Sequence, residues 1–273
     1  MNRTSLIREI KLKGTYLCVG LDTDPDKLPG HLKSHADGIY EFNKQIIDAT
    51  LDHCVSYKIN TAFYEALGAK GWEIMERTVA YIPSTHLIIA DAKRGDIGNT
   101  STQYAKAFFD VIKADAITIA PYMGEDSIKP FLEYVDKWTI VLGLTSNKGA
   151  NDFELQDTGG KKLYERVLET VSTWGTTENL MFVVGATQAD EFVNIRSIIP
   201  DHFLLVPGVG AQGGSLEEIS SKAMNKDIGI LVNASRAILY ASSGTDFAEK
   251  AREVAAGYHN EMRVHINKQI LNV

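Results

Sequence analysis

The stretch HLIIADAKRGDIGNTS, residues 86–101, joins an apolar run to charged residues, glycines and small polar residues. Its first part, 86–93, has the apolar and β-branched composition of a strand that is buried on both faces. Its last part begins a segment with helical periodicity, predicted over 100–114. A buried strand followed closely by a helix is the βα unit of parallel sheets.

The same unit repeats in both directions from this stretch. Further strands are predicted at 15–22, 55–61, 116–121, 138–145, 180–187, 202–208 and 229–235. Further helices are predicted at 40–53, 125–135, 162–174, 189–199, 215–225 and from Phe247 past Tyr258. Eight strands in 273 residues predict an α/β fold, a closed (β/α)8 or TIM barrel forming a single domain over 1–273. A doubly wound open sheet is the alternative.

The charge balance limits the possible partners. The chain has 28 Lys and Arg against 35 Asp and Glu, a formal net charge of -7. It therefore lacks the basic field that holds nucleic acid, and we expect no nucleic-acid partner. A small anionic ligand needs only two or three local donors and remains possible.

The sequence predicts a cytoplasmic protein. Its start, MNRTS, is followed by a mixed polar segment rather than an apolar leader, and no run is long enough to span a membrane. The two cysteines, Cys18 and Cys54, lie in apolar stretches. We expect both to be core residues rather than a disulfide.

Charged residues stand at the ends of the first three strands. Asp22 ends the first, Lys58 lies late in the second, and Asp91 and Lys93 end the third. Carboxyl ends of barrel strands carry active sites, and residues two apart on a strand face the same side. Since burying one ion alone is costly, Lys58 is the expected partner of Asp91. The array is either catalytic or a structural ion pair at the barrel mouth. Asp96, taken alone, is typical of a helix start.

A second feature lies late in the chain. The seventh strand runs into PGVGAQGG, residues 207–214, and the eighth ends in NASR, residues 233–236. A glycine-dense loop can present backbone N–H groups to an anion, and Arg236 can add a bidentate contact. Barrels often hold phosphate after strands seven and eight, although an ordinary turn is the alternative for the loop alone. A dinucleotide fingerprint would follow the first strand, so that reading is rejected.

Motifs of other chemistries are missing from the sequence. There is no GxSxG, HExxH, P-loop or CxxC motif. The seven histidines, at 31, 35, 53, 86, 202, 259 and 265, have no metal-ligand spacing. We therefore expect no metal site and treat the histidines as structural or solvated.

Taken together and in order, these motifs resemble the orotidine 5'-monophosphate decarboxylase family. They are Gly20-Leu21-Asp22, Tyr57-Lys58, Asp91-x-Lys93-x-x-Asp96, the loop at 207–214 and Asn233-Ala234-Ser235-Arg236. The resemblance covers about residues 15–245. The loop Thr145-Ser146-Asn147 is similar to the longer bacterial branch of the family.

The resemblance implies a homodimer with active sites shared between subunits. Lys58, Asp91 and Lys93 of one chain and Asp96 of its partner would form an alternating catalytic array, with Thr100 beside Asp96 and touching the ribose. By the same resemblance, Asp22 and Lys58 would bind the ribose hydroxyls. Gln212, Arg236 and backbone N–H groups near Gly213 would bind the phosphate. Ser146 or Asn147 would meet the pyrimidine edge.

The implied reaction converts orotidine 5'-monophosphate to UMP and CO2 without a cofactor. Loss of CO2 from C6 leaves a carbanion that no adjacent π system delocalises, so a fixed ammonium, Lys93, would stabilise the charge and deliver the proton. The nearest alternative is a Mg2+-dependent sugar-phosphate decarboxylase or synthase on the same barrel. A Schiff-base aldolase and a non-catalytic phosphate-binding barrel are weaker alternatives.

Overall fold

The strands close into one parallel barrel. The computed structural model describes residues 1–209 and 214–271. The eight strands are β1 Leu17–Gly20, β2 Ser56–Asn60, β3 Leu87–Arg94, β4 Ala116–Ile119, β5 Trp138–Leu144, β6 Leu180–Val184, β7 Phe203–Pro207 and β8 Ile230–Ala234. They pair in chain order, and β1 also pairs with β8. The predicted closed barrel is confirmed, and the open-sheet alternative is wrong.

Helices follow each strand and cover the outside of the barrel. They are α1 Arg3–Lys13, α2 Gly30–Lys33, α3 Gly38–Thr50, α4 Ala62–Glu65, α5 Gly68–Tyr81, α6 Gly98–Ala105, α7 Glu125–Leu132, α8 Leu163–Val171, α9 Phe192–Ile198, α10 Leu216–Ala223, α11 Arg236–Leu239 and α12 Phe247–Leu271. A π-helical turn, Lys106–Val111, continues α6. Every helix predicted from the sequence is present, with bounds shifted by a few residues.

The sequence prediction missed five of these helices, namely α1, α5 and the four-residue helices α2, α4 and α11. The first begins at Asn2, whose side chain accepts a hydrogen bond from Ser5 N at 3.0 Å, and ends at Gly14 in the left-handed conformation. It buries Arg3, which donates to the carbonyls of Thr177 and Asp201. A helix that buries a charged residue through such distant contacts does not show the simple apolar periodicity on which the prediction rests.

An irregularity in β3 shapes the end of that strand. The register between β3 and β4 shifts between Ala90 and Arg94. Within this bulge Lys93 has φ +48°, in the left-handed region that side chains other than glycine rarely adopt. A bulge changes the direction of the side chains that follow it, and here it lies at the carboxyl end of the strand, where the charged residues cluster.

The core prediction for the cysteines is confirmed, since Cys18 and Cys54 are both buried free thiols. Burial raises the pKa of the Cys18 thiol to about 12, so this group stays protonated.

Among the helices of residues 1–209 and 214–271, none has the length and apolar character needed to cross a membrane.

Candidate active site

A cleft of about 310 Å³ opens at the carboxyl ends of the strands. Its walls come from strand ends and loops on both sides of the barrel. The lining residues are Asp22, Lys58, Asn60, Asp91, Lys93, Leu142, Thr145, Ser146, Asn147, Val183, Leu205, Pro207, Gly208, Val209, Asn233, Ser235, Arg236 and Ala237. The structure therefore brings six of the predicted site residues together in one cleft, Asp22, Lys58, Asp91, Lys93, Ser146 and Arg236.

The charges from β1, β2 and β3 form one connected chain. Lys58 Nζ lies 2.9 Å from Asp91 Oδ2 and 3.2 Å from Asp22 Oδ1. Lys93 Nζ donates to the other oxygen of Asp91, Oδ1, at 2.6 Å. The predicted pairing of Lys58 with Asp91 is confirmed. The Lys58 side chain is 4% exposed and that of Lys93 is 50% exposed, so one ammonium is buried and the other reaches the open cleft.

The proximity of opposite charges fixes the ionisation of the buried members. Burial alone would lower the pKa of Lys58, but the carboxylates of Asp22 and Asp91 outweigh it and hold that pKa above its ordinary value. Burial alone would likewise raise the pKa of Asp91, but the two lysines outweigh it and keep that pKa well below its usual range. Both groups are therefore charged at neutral pH.

Thr118 of β4 is a member of the site that the sequence prediction missed. Its hydroxyl donates to Asp91 Oδ1 at 3.0 Å and accepts from the backbone N–H of Lys93 at 2.9 Å. This one side chain therefore holds both the carboxylate and the left-handed backbone of the lysine. Nothing in the sequence marks it, because a threonine inside an apolar strand is ordinary.

The opposite side of the cleft holds Arg236, which the sequence predicts to bind phosphate. Arg236 lines it, next to Ser235 and to Gly208, whose φ of +100° suits glycine. Gly20 of β1 makes room for this corner, since a Cβ there would lie 1.8 Å from Ser235 Oγ. The predictions for Gln212 and Gly213 fall outside the described residues.

The turn after β5 forms a third wall. Thr145, Ser146 and Asn147 all line the cleft, so both candidates for the pyrimidine edge are present. Ser146 packs directly on the end of β6, where a Cβ at Gly185 would lie 2.7 Å from Ser146 N. The carbonyl of Thr145 accepts from Gln188 Nε2 at 3.0 Å.

Asp96 and Thr100 do not line this cleft within one chain. Asp96 Oδ1 accepts from the backbone N–H of Ile97 at 2.8 Å, and Thr100 is exposed on the first turn of α6. This helix begins at Gly98, slightly earlier than the predicted start. Exposed apolar side chains lie on the same side of the barrel, Ile97 at 59% and Tyr122 at 92%.

The part of the chain that the structure describes has no cluster of metal ligands. There, no group of three or more His, Cys, Asp or Glu side chains could hold a metal ion. The donors that face the cleft are instead ammonium, guanidinium, hydroxyl and amide groups, with Asp22 and Asp91 already paired to lysine. The arrangement suits an anionic substrate with a phosphate at one end and a reacting centre near Lys93.

Comparisons with known proteins identify the family of the chain. The family model described as "Orotidine 5'-phosphate decarboxylase / HUMPS family" matches residues 15–253. The orotidine 5'-phosphate decarboxylase of Parabacteroides distasonis is 56% identical over 271 residues, 98% of this chain and 97% of that protein. That of Flavobacterium johnsoniae is 57% identical over 265 residues, 96% of this chain and 97% of that protein.

Solved structures give the same result. Leishmania donovani OMP decarboxylase is 34% identical with a TM-score of 0.81, covering 97% of this chain and 99% of that one. Leishmania donovani UMP synthase is 37% identical with a TM-score of 0.83, and the match covers 95% of this chain but 57% of that longer one. With a family match over most of its length and near-complete relatives above 50% identity, this chain belongs to the orotidine 5'-phosphate decarboxylase / HUMPS family.

Proposed function

We propose that this chain decarboxylates orotidine 5'-monophosphate to UMP and CO2 as a step of pyrimidine nucleotide synthesis. The observation that carries the proposal is the chain of alternating charges at the mouth of the barrel. Asp91 bridges a buried Lys58 and a half-exposed Lys93 through its two oxygens, at 2.9 and 2.6 Å. The relatives at 52–57% identity carry the name of this enzyme.

The reaction needs a cation at the carbon that loses CO2. When the C6–CO2 bond breaks, its electron pair stays on C6 in an orbital that the ring does not delocalise. An ammonium held beside C6 stabilises that charge and then transfers its proton, which gives the C6–H of UMP. Lys93 is the group for this role, because it reaches the open cleft while Asp91 and the bound backbone amide fix its position.

The buried pair prepares the site for Lys93. Lys58 is held charged by two carboxylates, so Asp91 keeps its negative charge without protonation from solvent. The site is therefore organised before substrate arrives, which saves reorganisation in the transition state. Asp91 is proposed to face the substrate carboxylate. Asp22 and Lys58 are proposed to bind the ribose hydroxyls.

The two ends of the nucleotide are assigned to opposite walls. Arg236 and the loop at 207–209 are proposed to hold the 5'-phosphate, because a guanidinium gives bidentate, charge-assisted contacts to phosphate oxygens. Gln212 and Gly213 are proposed to complete this site. Ser146 or Asn147 is proposed to meet the pyrimidine edge. Phosphate binding far from C6 can then contribute to holding the reacting carbon in place.

We also propose a homodimer in which Asp96 and Thr100 complete the partner's site. Both residues lie off the cleft of their own chain. The exposed Ile97, Tyr122 and Met123 are close to them in sequence or in the adjoining loop, and apolar side chains of this size are typical of a buried interface.

A single domain and a cytoplasmic location are proposed as well, the latter supported by two free buried thiols.

The Mg2+-dependent sugar-phosphate alternative is not favoured. The family description includes more than one activity, but the near-complete bacterial relatives reported above are orotidine 5'-phosphate decarboxylases. A Schiff-base aldolase needs a neutral lysine, whereas Lys58 is held charged by its partners.

The test is the fall in ultraviolet absorbance when the purified protein meets orotidine 5'-monophosphate with EDTA present. We expect a rapid fall that is insensitive to EDTA and absent from a Lys93→Ala variant that still binds UMP. Residual turnover of that variant within about 10-fold of the parent would contradict the proton-donor role, since general acids contribute about 100-fold or more. No fall with the folded parent would contradict the proposed substrate.

A further inference from the structure

We propose that Glu154 is a positioning residue for recognition of the pyrimidine. It lies in the long segment between β5 and α8 and does not itself line the cleft. Its carboxylate binds Thr145, the first residue of the turn Thr145, Ser146 and Asn147, which we call the recognition turn. The inference rests on the proposed function, because it assigns the base of the nucleotide to the wall that this turn forms.

The carboxylate binds two donors of one residue. Glu154 Oε2 accepts from the backbone N–H of Thr145 at 2.6 Å. The Thr145 hydroxyl lies 2.8 Å from Glu154 Oε1 and 3.0 Å from Oε2. Hydrogen bonds to an ionised acceptor are stronger than neutral ones, and two of them to one residue fix its orientation as well as its position. Glu154 therefore sets the conformation of the chain directly before Ser146.

The same contact determines how the Asn147 amide is turned. The Thr145 hydroxyl is also 2.6 Å from Asn147 Oδ1, yet a hydroxyl has a single proton to donate. The carboxylate of Glu154 is the stronger acceptor and takes that proton. This proton position favours an Asn147 amide that turns its N–H, rather than its oxygen, toward the hydroxyl oxygen. A charge outside the cleft thus selects the orientation of an amide that lines it.

The remaining contacts hold the turn from other directions. Gln188 Nε2 donates to the carbonyl of Thr145 at 3.0 Å, and Ser146 packs on the bare backbone of Gly185. Glu154 itself is anchored, because its carbonyl accepts from Tyr164 N at 2.9 Å at the start of α8. The backbone of Glu154 is therefore held next to the turn that its carboxylate binds.

The experiment compares Glu154→Ala and Glu154→Gln with the parent in calorimetric binding of UMP, CMP and ribose 5-phosphate. UMP and CMP differ only at the base edge, and ribose 5-phosphate has no base. For Glu154→Ala we expect UMP to bind about 10-fold more weakly or worse, with ribose 5-phosphate within about 2-fold of the parent and a smaller preference for UMP over CMP. Glu154→Gln should be intermediate, because its carbonyl can still accept the Thr145 N–H.

Asp157→Ala is the matched control. Asp157 lies in the same segment and accepts from Gly159 N at 2.8 Å and Gly160 N at 3.0 Å, away from the recognition turn. This variant should keep the parental preference for UMP. An unchanged preference in Glu154→Ala, or an equal change in Asp157→Ala, would overturn the inference. If circular dichroism shows Glu154→Ala unfolded, the preference of Glu154→Gln decides.

Failure of the proposed function would be visible separately. Turnover of orotidine 5'-monophosphate by the parent protein tests that function alone, whereas the binding measurements do not depend on turnover. A parent that is active but shows no preference for UMP over CMP would overturn the inference and leave the decarboxylase assignment intact.

Discussion

At Lys93 the proposed proton donor and an unusual backbone conformation coincide. A residue other than glycine with φ +48° costs on the order of 1–3 kcal/mol and persists only where its surroundings hold it. Here the surroundings include Thr118, which binds the Lys93 amide, and Asp91, which binds its ammonium. The strained backbone and the fixed ammonium have the same cause, the bulge at the end of β3.

Removing the Thr118 hydroxyl should therefore reduce the chemical step. Thr118→Val keeps the shape of the side chain but leaves the Lys93 amide and Asp91 without one partner each. We expect kcat for orotidine 5'-monophosphate to fall about 10–100-fold, with a smaller change in KM. Steady-state kinetics would measure this. Thr139→Val, the same change at a buried threonine of β5 that does not line the cleft, is the control. Equal effects in the two variants would contradict the role of Thr118.

Arg236 makes a different prediction, because it is assigned to the phosphate rather than to C6. Arg236→Ala should lower kcat/KM for orotidine 5'-monophosphate about 100-fold or more, since a charge-assisted contact is lost. Activity on orotidine, the nucleoside without phosphate, should stay within about 2-fold of the parent. A loss of the same size for both substrates would point to a general defect instead.

Among the elements, the strands and seven of the twelve helices were predictable, whereas α1, α5 and three four-residue helices were not. Buried parallel strands appear as apolar runs, and charged residues at their ends stand out against them, which is how Asp22, Lys58 and Lys93 were found. The helix α1 depends on contacts of Arg3 with residues more than 170 positions away, which no local pattern records. Thr118 and Glu154 escaped prediction for the same reason, since their roles come from neighbours that folding brings together.

The close contact of β1 with the end of β8 predicts that Gly20 does not tolerate a larger side chain. A Cβ at Gly20 would lie 1.8 Å from Ser235 Oγ and 2.8 Å from Ser235 Cβ. Gly20→Ala should destabilise the fold by about 1–3 kcal/mol through overpacking and displace Ser235 next to Arg236, which weakens phosphate binding. Urea denaturation and ribose 5-phosphate binding would measure the two effects. Gly30→Ala, where a Cβ meets nothing within 4 Å, should change neither. A stable, fully binding Gly20→Ala variant would contradict the close contact.

For the whole molecule, closure of the barrel brings strands from both ends of the sequence to one cleft. β1 lies between β2 and β8, so Asp22 and Arg236 line the same cavity although they are distant along the chain. An open sheet would separate them. The proposed dimer extends this logic, because it adds Asp96 and Thr100 from a second chain.

Mixing inactive chains would test the proposed dimer. Lys93→Ala removes the proton donor from a chain's own cleft. Asp96→Ala removes the carboxylate that the chain is proposed to contribute to the active site of its partner. A mixed dimer then contains one site that lacks both residues and one site that is complete. We expect activity to reappear on mixing and to approach about one working site per mixed dimer, as stopped-flow or steady-state assays would show. Mixing that restores nothing, with subunit exchange demonstrated by mass spectrometry, would contradict the shared site.

The opposite end of the barrel gives a prediction for stability against acid. His202 is buried against Phe182, and neither ring nitrogen has a hydrogen-bond partner among the residues that the structure describes. Burial, with smaller effects from Arg3 and Arg196, lowers the pKa of His202 from 6.5 to about 4. The ring therefore stays neutral in the folded state while the unfolded chain takes up a proton below pH 6.5. Stability is full above that pH and falls as the pH falls toward 4.

Replacing the ring should remove this dependence. Between pH 7 and 5 the parent should lose about 1–2 kcal/mol of unfolding free energy more than His202→Leu does, measured by urea denaturation at each pH. His31→Leu, the same change at an exposed histidine, should behave as the parent. If His202→Leu loses as much stability as the parent over this range, the buried neutral histidine is not the cause.

The burial of Lys58 between two carboxylates also limits how this site can evolve. Removing Lys58 leaves the carboxylate of Asp22 without its lysine, a kind of loss that costs about 3–5 kcal/mol for a buried pair, whereas changing both members of the pair costs far less. A single substitution at Lys58 thus passes through a less stable protein before any new activity can be selected. Lineages that acquire a different chemistry on this barrel should therefore exchange these residues together, and such paired changes are what a survey of divergent sequences should find.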